Sequence, residues 1–360
     1  MFKRQFPIPT LLLFLLLAWQ IWGTLRLYPH QEAYFNEVAG GAANGSHWLV
    51  DANIDWGQDL LFLRDLLAQQ GIDDVYLSYF GTALPEKYGI QYRPLPGFMR
   101  FTAGAEIDAY NPYTPLPGWY AISETSRRLG LMLQNQDMFA YFQAQEPVAC
   151  AGYSICLYHV TYPEEMPVTR TVIAGRSVSD VPAAELGVQP GGRVVAKWVQ
   201  SADVTITSLP DEPLFAAGFV PKTAVFADAF TLLGYALPQT DVPPGAALSL
   251  TLYWQVESGQ VETPAPSQAA PLAAFVHLSG TDPAAIVAQA DGWPTALSGL
   301  EQGDVIAQPL TIFLPADVPA GDYFVRLGLY SPQSGMRLPV TVDGETGDHV
   351  LVTAVTIRNP

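Results

Sequence analysis

HWLVDANIDWGQDLLFLRDLLAQQGIDDVYLSYF, residues 47–80, decides the fold of the first half of the chain. His47 to Asp51 reads as a strand. Leu60 to Gln70 carries apolar residues at helical spacing and stops at Gly71, a residue suited to the left-handed end of a helix. Val75 to Phe80 is a second strand-like run. A strand, a helix and a strand over this length predict a parallel pair joined by a right-handed crossover. Asp55, three residues before Gln58 and just ahead of the apolar run, reads as a capping box at the helix start. Asp51, Asp55 and Asp59 then gather between a strand end and a helix start, where α/β folds usually place ligands. The same spacing also describes an ordinary capped helix, so this cluster has a purely structural reading beside the functional one.

Working outward towards the N-terminus, Tyr34 to Ser46 concentrates polar groups, Asn36 and Glu37 among them, around small residues. Before it, an apolar run from Ile8 to Leu27 is broken only by Thr10, Gln20, Gly23, Thr24 and Arg26. Its roughly twenty residues match the length of a single membrane-spanning helix. Trp19, Trp22 and Tyr28 lie towards its far end, as interfacial aromatics do. A cleaved signal peptide is the rival reading, but bulky residues stand where a small-x-small cleavage site belongs. Lys3 and Arg4 place the N-terminus in the cytoplasm and the remainder outside the cell membrane.

Working outward towards the C-terminus, Gly81 to Gly89 predicts a turn and a short helix, followed by a proline-rich excursion through Pro117. Trp119 to Ser123 and Ile155 to Val160 read as strands, with a short helix over Met138 to Gln143. Cys150 and Cys156 bracket a glycine-containing turn. They fit either a disulfide across a hairpin or two small buried thiols. Neither their spacing nor the singly scattered histidines suggest a metal site, and no cofactor motif is present.

From Met166 the texture changes to short β-type runs between turns. Thr169–Ala174, Arg193–Val199 and Asp203–Ser208 read as strands of a connecting segment, with a helical turn over Ala183–Leu186. Beyond Lys222 the alternation is clear: Leu248, Leu250, Leu252 and Trp254 share one strand face. Further strands over 230–237, 273–278, 286–290, 306–314, 323–330 and 350–357 predict an antiparallel β-sandwich. Ser258 to Pro271 reads as a long exposed loop. Aromatics on such strands are usually core, so sugar stacking by Trp254 or Trp293 is the weaker reading.

The chain has 360 residues, 49% hydrophobic and 14% charged, with net charge −17. Beyond Lys222, three arginines face thirteen acidic residues. That field repels phosphate backbones and argues against nucleic acid as a partner. No nucleophile elbow, P-loop or zinc-protease motif occurs, so no catalytic residue is assigned.

YFNEVAGG, LVDANIDWGQDL, YFGTALPEKYGI and GWYAIS, in that order, resemble the extracytoplasmic C-terminal region of bacterial membrane glycosyltransferases of the dolichyl-phosphate-mannose–protein mannosyltransferase type (family 39). The resemblance covers residues 8 to 163 and equates the anchor with the last transmembrane helix of those enzymes. It implies a multi-helix glycosyltransferase as a partner and a glycan or lipid-linked sugar as a ligand. It transfers no catalytic residue, because the family's catalytic Asp lies on an outer loop with no counterpart here. LGYALP, LTLYWQV, FVHLSG and AGDYFVRLGLY resemble a β-sandwich module of bacterial surface proteins.

The expected architecture is therefore α+β and multidomain. Residues 1–28 form the cytoplasmic end and anchor, 29–165 a small α/β domain, 166–222 a β-rich connector and 223–360 the β-sandwich. The candidate binding residues are Asn36, Glu37, Asp51, Asn53, Asp55, Trp56, Gln58 and Asp59. The expected function is a single-pass, membrane-anchored extracytoplasmic protein that assists a glycosyltransferase without catalysing transfer itself. The alternative is the C-terminal part of a split glycosyltransferase that uses a lipid-phosphate sugar.

Overall fold

The computed structural model describes residues 8–51, 54–97, 105–130, 137–208, 215–257, 272–332 and 334–358. The predicted loop from Ser258 to Pro271 and the candidate residue Asn53 lie outside them. The described chain is mostly β, in several sheets. Its α-helices, in chain order, are α1 (Ile8–Leu25), α2 (Leu60–Gln70), α3 (Ala105–Asp108), α4 (Glu124–Leu129), α5 (Ala140–Gln143) and α6 (Ala183–Leu186). Two compact units emerge. Unit 1 comprises Met1–Phe101 and Pro117–Glu164; unit 2 comprises Thr102–Leu116 and Glu165–Pro360.

Unit 1 holds a five-stranded mixed sheet of order β2-β1-β3-β5-β4. Its strands are β1 (Val75–Ser78), β2 (Tyr92–Pro94), β3 (Gly118–Ser123), β4 (Ala149–Ala151) and β5 (Ile155–Val160). Strand β1 runs parallel to both β2 and the central strand β3, while β5 is antiparallel to β3 and β4. Helix α2 buries Leu60, Leu63 and Leu67 against Val75, Leu77, Ala121 and Leu157. It ends where the sequence predicts, at Gly71 in a left-handed conformation (φ 65°).

The predicted strand His47–Asp51 is not a strand. A 3-10 helix runs from Ala42 to His47, Trp48 and Leu49 are exposed, and Asp51 has φ 64°. Gly45 is pressed on the Phe35 ring, where a Cβ would come within 2.3 Å of it. The Asp51 N–H donates to Thr125 Oγ1 (3.0 Å) and so joins no sheet ladder. The parallel crossover consequently begins at β1 and runs through a 3-10 turn (Pro85–Tyr88) to β2.

Helix α1 spans 18 residues with its leucines exposed. At 1.5 Å per residue that is about 27 Å, against the roughly 30 Å of a bilayer core. Among the described residues no helix is long and apolar enough to cross a membrane.

Unit 2 pairs a seven-stranded sheet, β18-β17-β9-β10-β12-β15-β8, with a five-stranded one, β11-β19-β16-β13-β14. A parallel pair, β6 (Val168–Ala174) and β7 (Arg193–Val199), stands beside them. The seven-stranded sheet contains β8 (Thr205–Ser208), β9 (Phe219–Phe226), β10 (Phe230–Ala236), β12 (Ala247–Val256), β15 (Asp304–Phe313), β17 (Val340–Val342) and β18 (Glu345–Gly347). The other contains β11 (Asp241–Val242), β13 (Ala273–Ser279), β14 (Ile286–Gly292), β16 (Gly321–Tyr330) and β19 (Val350–Ile357). Both sheets contribute to one core, with Leu248, Leu250, Leu252 and Trp254 meeting Val276, Val325, Leu327 and Val355. Shared burial between two largely antiparallel sheets defines a β-sandwich. Strand β8, from the segment read as a connector, pairs with β15 as an edge of this sandwich.

Candidate functional site

The candidate residues fall into a closed interior and an open rim. Asp55 is fully buried, and its Oδ1 accepts the N–H of Gly57 (3.2 Å). Helix α2 begins at Leu60, so Asp55 lies too early to be its cap. Gln58 braces the preceding turn instead: its Oε1 accepts from the Trp56 N–H (2.7 Å) and its Nε2 donates to the Ile54 carbonyl (2.8 Å). Asp55 Oδ2 has no hydrogen-bond partner within normal distance. Burial pushes the Asp55 carboxyl up to about 7, with nearby Asp59 adding to the rise. The Ser123 and Thr125 hydroxyls and the Gly57 N–H oppose that shift without cancelling it. Asp55 is therefore an acid held neutral over much of the range below neutrality, because charge inside a low-dielectric core is costly without a counterion.

Asp59 is as buried as Asp55 but fully engaged. Its Oδ2 accepts from the Tyr153 N–H (3.1 Å), the Ser154 N–H (3.1 Å) and the Ser154 hydroxyl (2.9 Å). Its Oδ1 meets His30 Nδ1 at 3.0 Å. A Cβ on Gly152 would sit 2.3 Å from this carboxylate, so only glycine fits in that turn. The turn joins β4 to β5, whose opposed Cys150 and Cys156 are joined by a disulfide. Asp59 thus ties the start of α2 to the disulfide hairpin and to the segment that follows α1. A third buried acid, Glu124, lies below the usual carboxylate range. Burial alone would raise it, but the bidentate pair with Arg127 (2.9 and 2.8 Å), helped by Ser46 and Arg128, prevails.

The rim comprises Asn36, Glu37 and Trp56. Asn36 caps a 3-10 turn by accepting the Ala39 N–H (3.0 Å), and Glu37 pairs with Arg26 (2.7 Å). Trp56 is 51% exposed and lies tilted on Phe80, with ring centroids 5.2 Å apart. Close packing joins these segments. A Cβ on Gly81 would come within 2.6 Å of the Trp56 carbonyl, and one on Gly57 within 2.8 Å of the Tyr79 ring. Sequence reasoning missed His30, Ser123, Thr125, Glu124 and Ser154, which are distant in sequence and carry no spacing signal. It also missed the exposure of an apolar collar, Val38, Trp48 and Leu49, the last two of which lie in a predicted strand.

This interior positions loops, and Asp55 and Asp59 within it are closed to solvent. Among the described residues no group of three or more His, Cys, Asp or Glu is arranged to hold a metal ion. No protein-family model matches the chain, and no curated protein matches it significantly. Among the solved structures similar to part of it are the following two. The C-terminal domain of Wzt covers 40% of this chain and 83% of its own, at 11% identity and a TM-score of 0.27. The PapD-like domain 7 of human CEP192 covers 43% and 98%, at 10% identity and a TM-score of 0.16. At these scores neither likeness carries an argument.

Proposed function

We propose that the chain is a membrane-anchored extracytoplasmic protein, non-catalytic by itself, that presents unit 1 to a multi-helix glycosyltransferase and its lipid-linked glycan. The observation that carries this reading is the run of exposed apolar side chains along α1 and its continuation in Tyr28, Val38, Trp48 and Leu49. Arg26–Glu37, the Tyr34–Gln20 hydrogen bond (3.1 Å) and the packing of Tyr34 on Gly23 tie that collar to the last turns of α1. A helix about 3 Å short of the bilayer core is accommodated by local thinning, at fractions of a kcal/mol per Å. Trp19 and Trp22 suit the interface, and Lys3 and Arg4 suit a cytoplasmic N-terminus. The exposed ring of Trp56 offers a stacking face for a sugar.

Protease added to intact spheroplasts is expected to digest both units and leave the α1 segment in the membrane. Protection of the whole chain would refute the orientation. The purified chain, given a polyprenyl-phosphate sugar and acceptors, is expected to yield no product above a blank. Turnover abolished by Asp55→Asn would contradict the non-catalytic reading.

A second reading, the C-terminal part of a split glycosyltransferase, is favoured by the convergence of three of the four family-like segments on Asp55. Ser123 acts on the Asp55 carboxyl, and Phe80 and Gly81 pack on the adjacent Trp56. A neighbouring upstream gene encoding a many-helix membrane protein without a soluble end would select this reading.

A further inference from the structure

Unit 2 buries a lysine. Lys197, in β7, is 2% exposed, and its Nζ lies 2.7 Å from Oδ1 of Asp304, itself 1% exposed at the start of β15. Glu301 Oε2 lies 3.1 Å from the same Nζ. The other oxygen of Asp304, Oδ2, accepts the backbone N–H of Glu301 at 2.8 Å. Arg170 holds Glu301 through two hydrogen bonds (2.6 and 2.9 Å), fixing the carboxylate over the amine.

The backbone around these groups is clamped. The Gln200 N–H donates to the Pro294 carbonyl (2.8 Å), the Ala296 N–H to Trp198 (3.2 Å) and the Gly303 N–H to Val256 (2.8 Å). Glu106 accepts the N–H groups of Leu297 and Ser298 at 2.5 and 3.2 Å. Gly299 has φ 84°, and a Cβ there would come within 2.6 Å of the Ala196 carbonyl, so the turn lies directly on β7. An amine and a carboxyl carbon are thus held together away from water by a rigid frame, with a second, partly exposed carboxylate against the amine. Such confinement converts an encounter between two side chains into a positioned intramolecular reaction.

We propose that Lys197 and Asp304 condense to an intramolecular isopeptide bond between Nζ and Cγ. A proton first crosses the 2.7 Å hydrogen bond from Nζ to Oδ1, leaving a neutral amine and a carboxylic acid. Burial favours this exchange, since a neutral pair carries a far smaller desolvation cost than an ion pair. The Nζ lone pair attacks Cγ, and the C=O electron pair moves onto Oδ2. There the Glu301 N–H stabilises the developing charge in the manner of an oxyanion hole. Glu301 Oε2 takes a proton from the now cationic nitrogen and passes it to the Oδ1 hydroxyl. The Cγ–Oδ1 bond breaks, the C=O at Oδ2 re-forms and one water leaves. The balance is one ammonium and one carboxylate to one amide and one water, with Glu301 restored and no cofactor consumed. In this scheme Glu301 is a catalytic residue, because it touches the reacting nitrogen, and Arg170 is a positioning residue.

The product ties β7 to β15 across 107 positions of sequence by a bond that reductants do not break. The test is the intact mass of the full chain, extracted from membranes and fully reduced so that Cys150–Cys156 contributes nothing. The expected mass is lower than the sequence mass by one water, and a digest is expected to give a branched peptide joining Lys197 to Asp304. Lys197→Ala and Asp304→Ala are expected to show the full sequence mass, and Glu301→Gln to lose the mass deficit while keeping a folded unit 2 by circular dichroism. A wild-type chain at full sequence mass overturns the proposal and leaves the cluster as a buried ion pair. That measurement is decisive even where the alanine variants fail to fold. A Glu301→Gln chain that still lacks one water overturns the proton-relay mechanism.

Discussion

Asp55 in unit 1 and Asp304 in unit 2 are equally shut away from water, yet their surroundings are opposite. Asp304 meets the Lys197 amine at 2.7 Å and a backbone N–H at 2.8 Å. Asp55 is met by neutral groups, the Gly57 N–H at 3.2 Å and the Ser123 and Thr125 hydroxyls, with a like charge, Asp59, nearby. Burial is the same; the counterion decides what the acid becomes. In unit 2 the desolvation cost is offset by pairing, which sets up either an ion pair or its condensation product. In unit 1 the cost falls on the charged form, and the carboxyl keeps its proton up to about pH 7.

Removing the counterion is expected to have the largest effect. Lys197→Ala takes the amine away from the buried Asp304 carboxylate, and should cost about 3–5 kcal/mol of unit 2 stability in denaturant melts. A loss below about 1 kcal/mol would erase the contrast with Asp55. Next comes the pH dependence of unit 1. The folded-state pKa of Asp55 is raised from 3.8 to about 7, so the folded chain binds this proton more tightly than the unfolded chain. Its contribution is fully present below about pH 4 and is lost as pH rises through about 7, on the order of 4 kcal/mol in all. Melts of Asp55→Asn across that range should lack this slope. An unchanged slope would assign it to other groups. The smallest effect is expected at the rim, where Asn36→Ala removes a cap at a cost of about 1 kcal/mol and leaves both buried acids unperturbed.

The two units also differ in how well their sequences speak. In the sandwich, period-2 alternation located Leu248, Leu250, Leu252 and Trp254, all at most 1% exposed. A strand whose one face packs on a shared core carries that pattern in its own residues. Strands β18, β17 and β9, which make up one side of the larger sheet, carry no such pattern and were missed. In unit 1, α2 and Gly71 were legible because helix length and its glycine stop are local signals. Trp48-Leu49-Val50 was misread, since an apolar triplet looks alike whether it faces a core or the outside. The Asp55 and Gln58 spacing suggested a cap, but the environment of Asp55 is supplied by Ser123 and Thr125, nearly seventy residues away, and no local pattern encodes that. Asp59 was singled out by position, while its partners His30 and Ser154 were visible only in three dimensions.

The central claim is that the face of unit 1 nearest α1 rests on a membrane. A nitroxide spin label at position 49 of the full chain, reconstituted into liposomes, tests it by comparing relaxation by lipid-dissolved oxygen with relaxation by a water-soluble nickel chelate. The account predicts oxygen-dominated relaxation at Leu49, because that side chain stands with Val38 and Trp48 in the exposed collar beside α1. Relaxation dominated by the nickel chelate, equal to that of a label on the exposed outer face of α2 at Gln69, would contradict it.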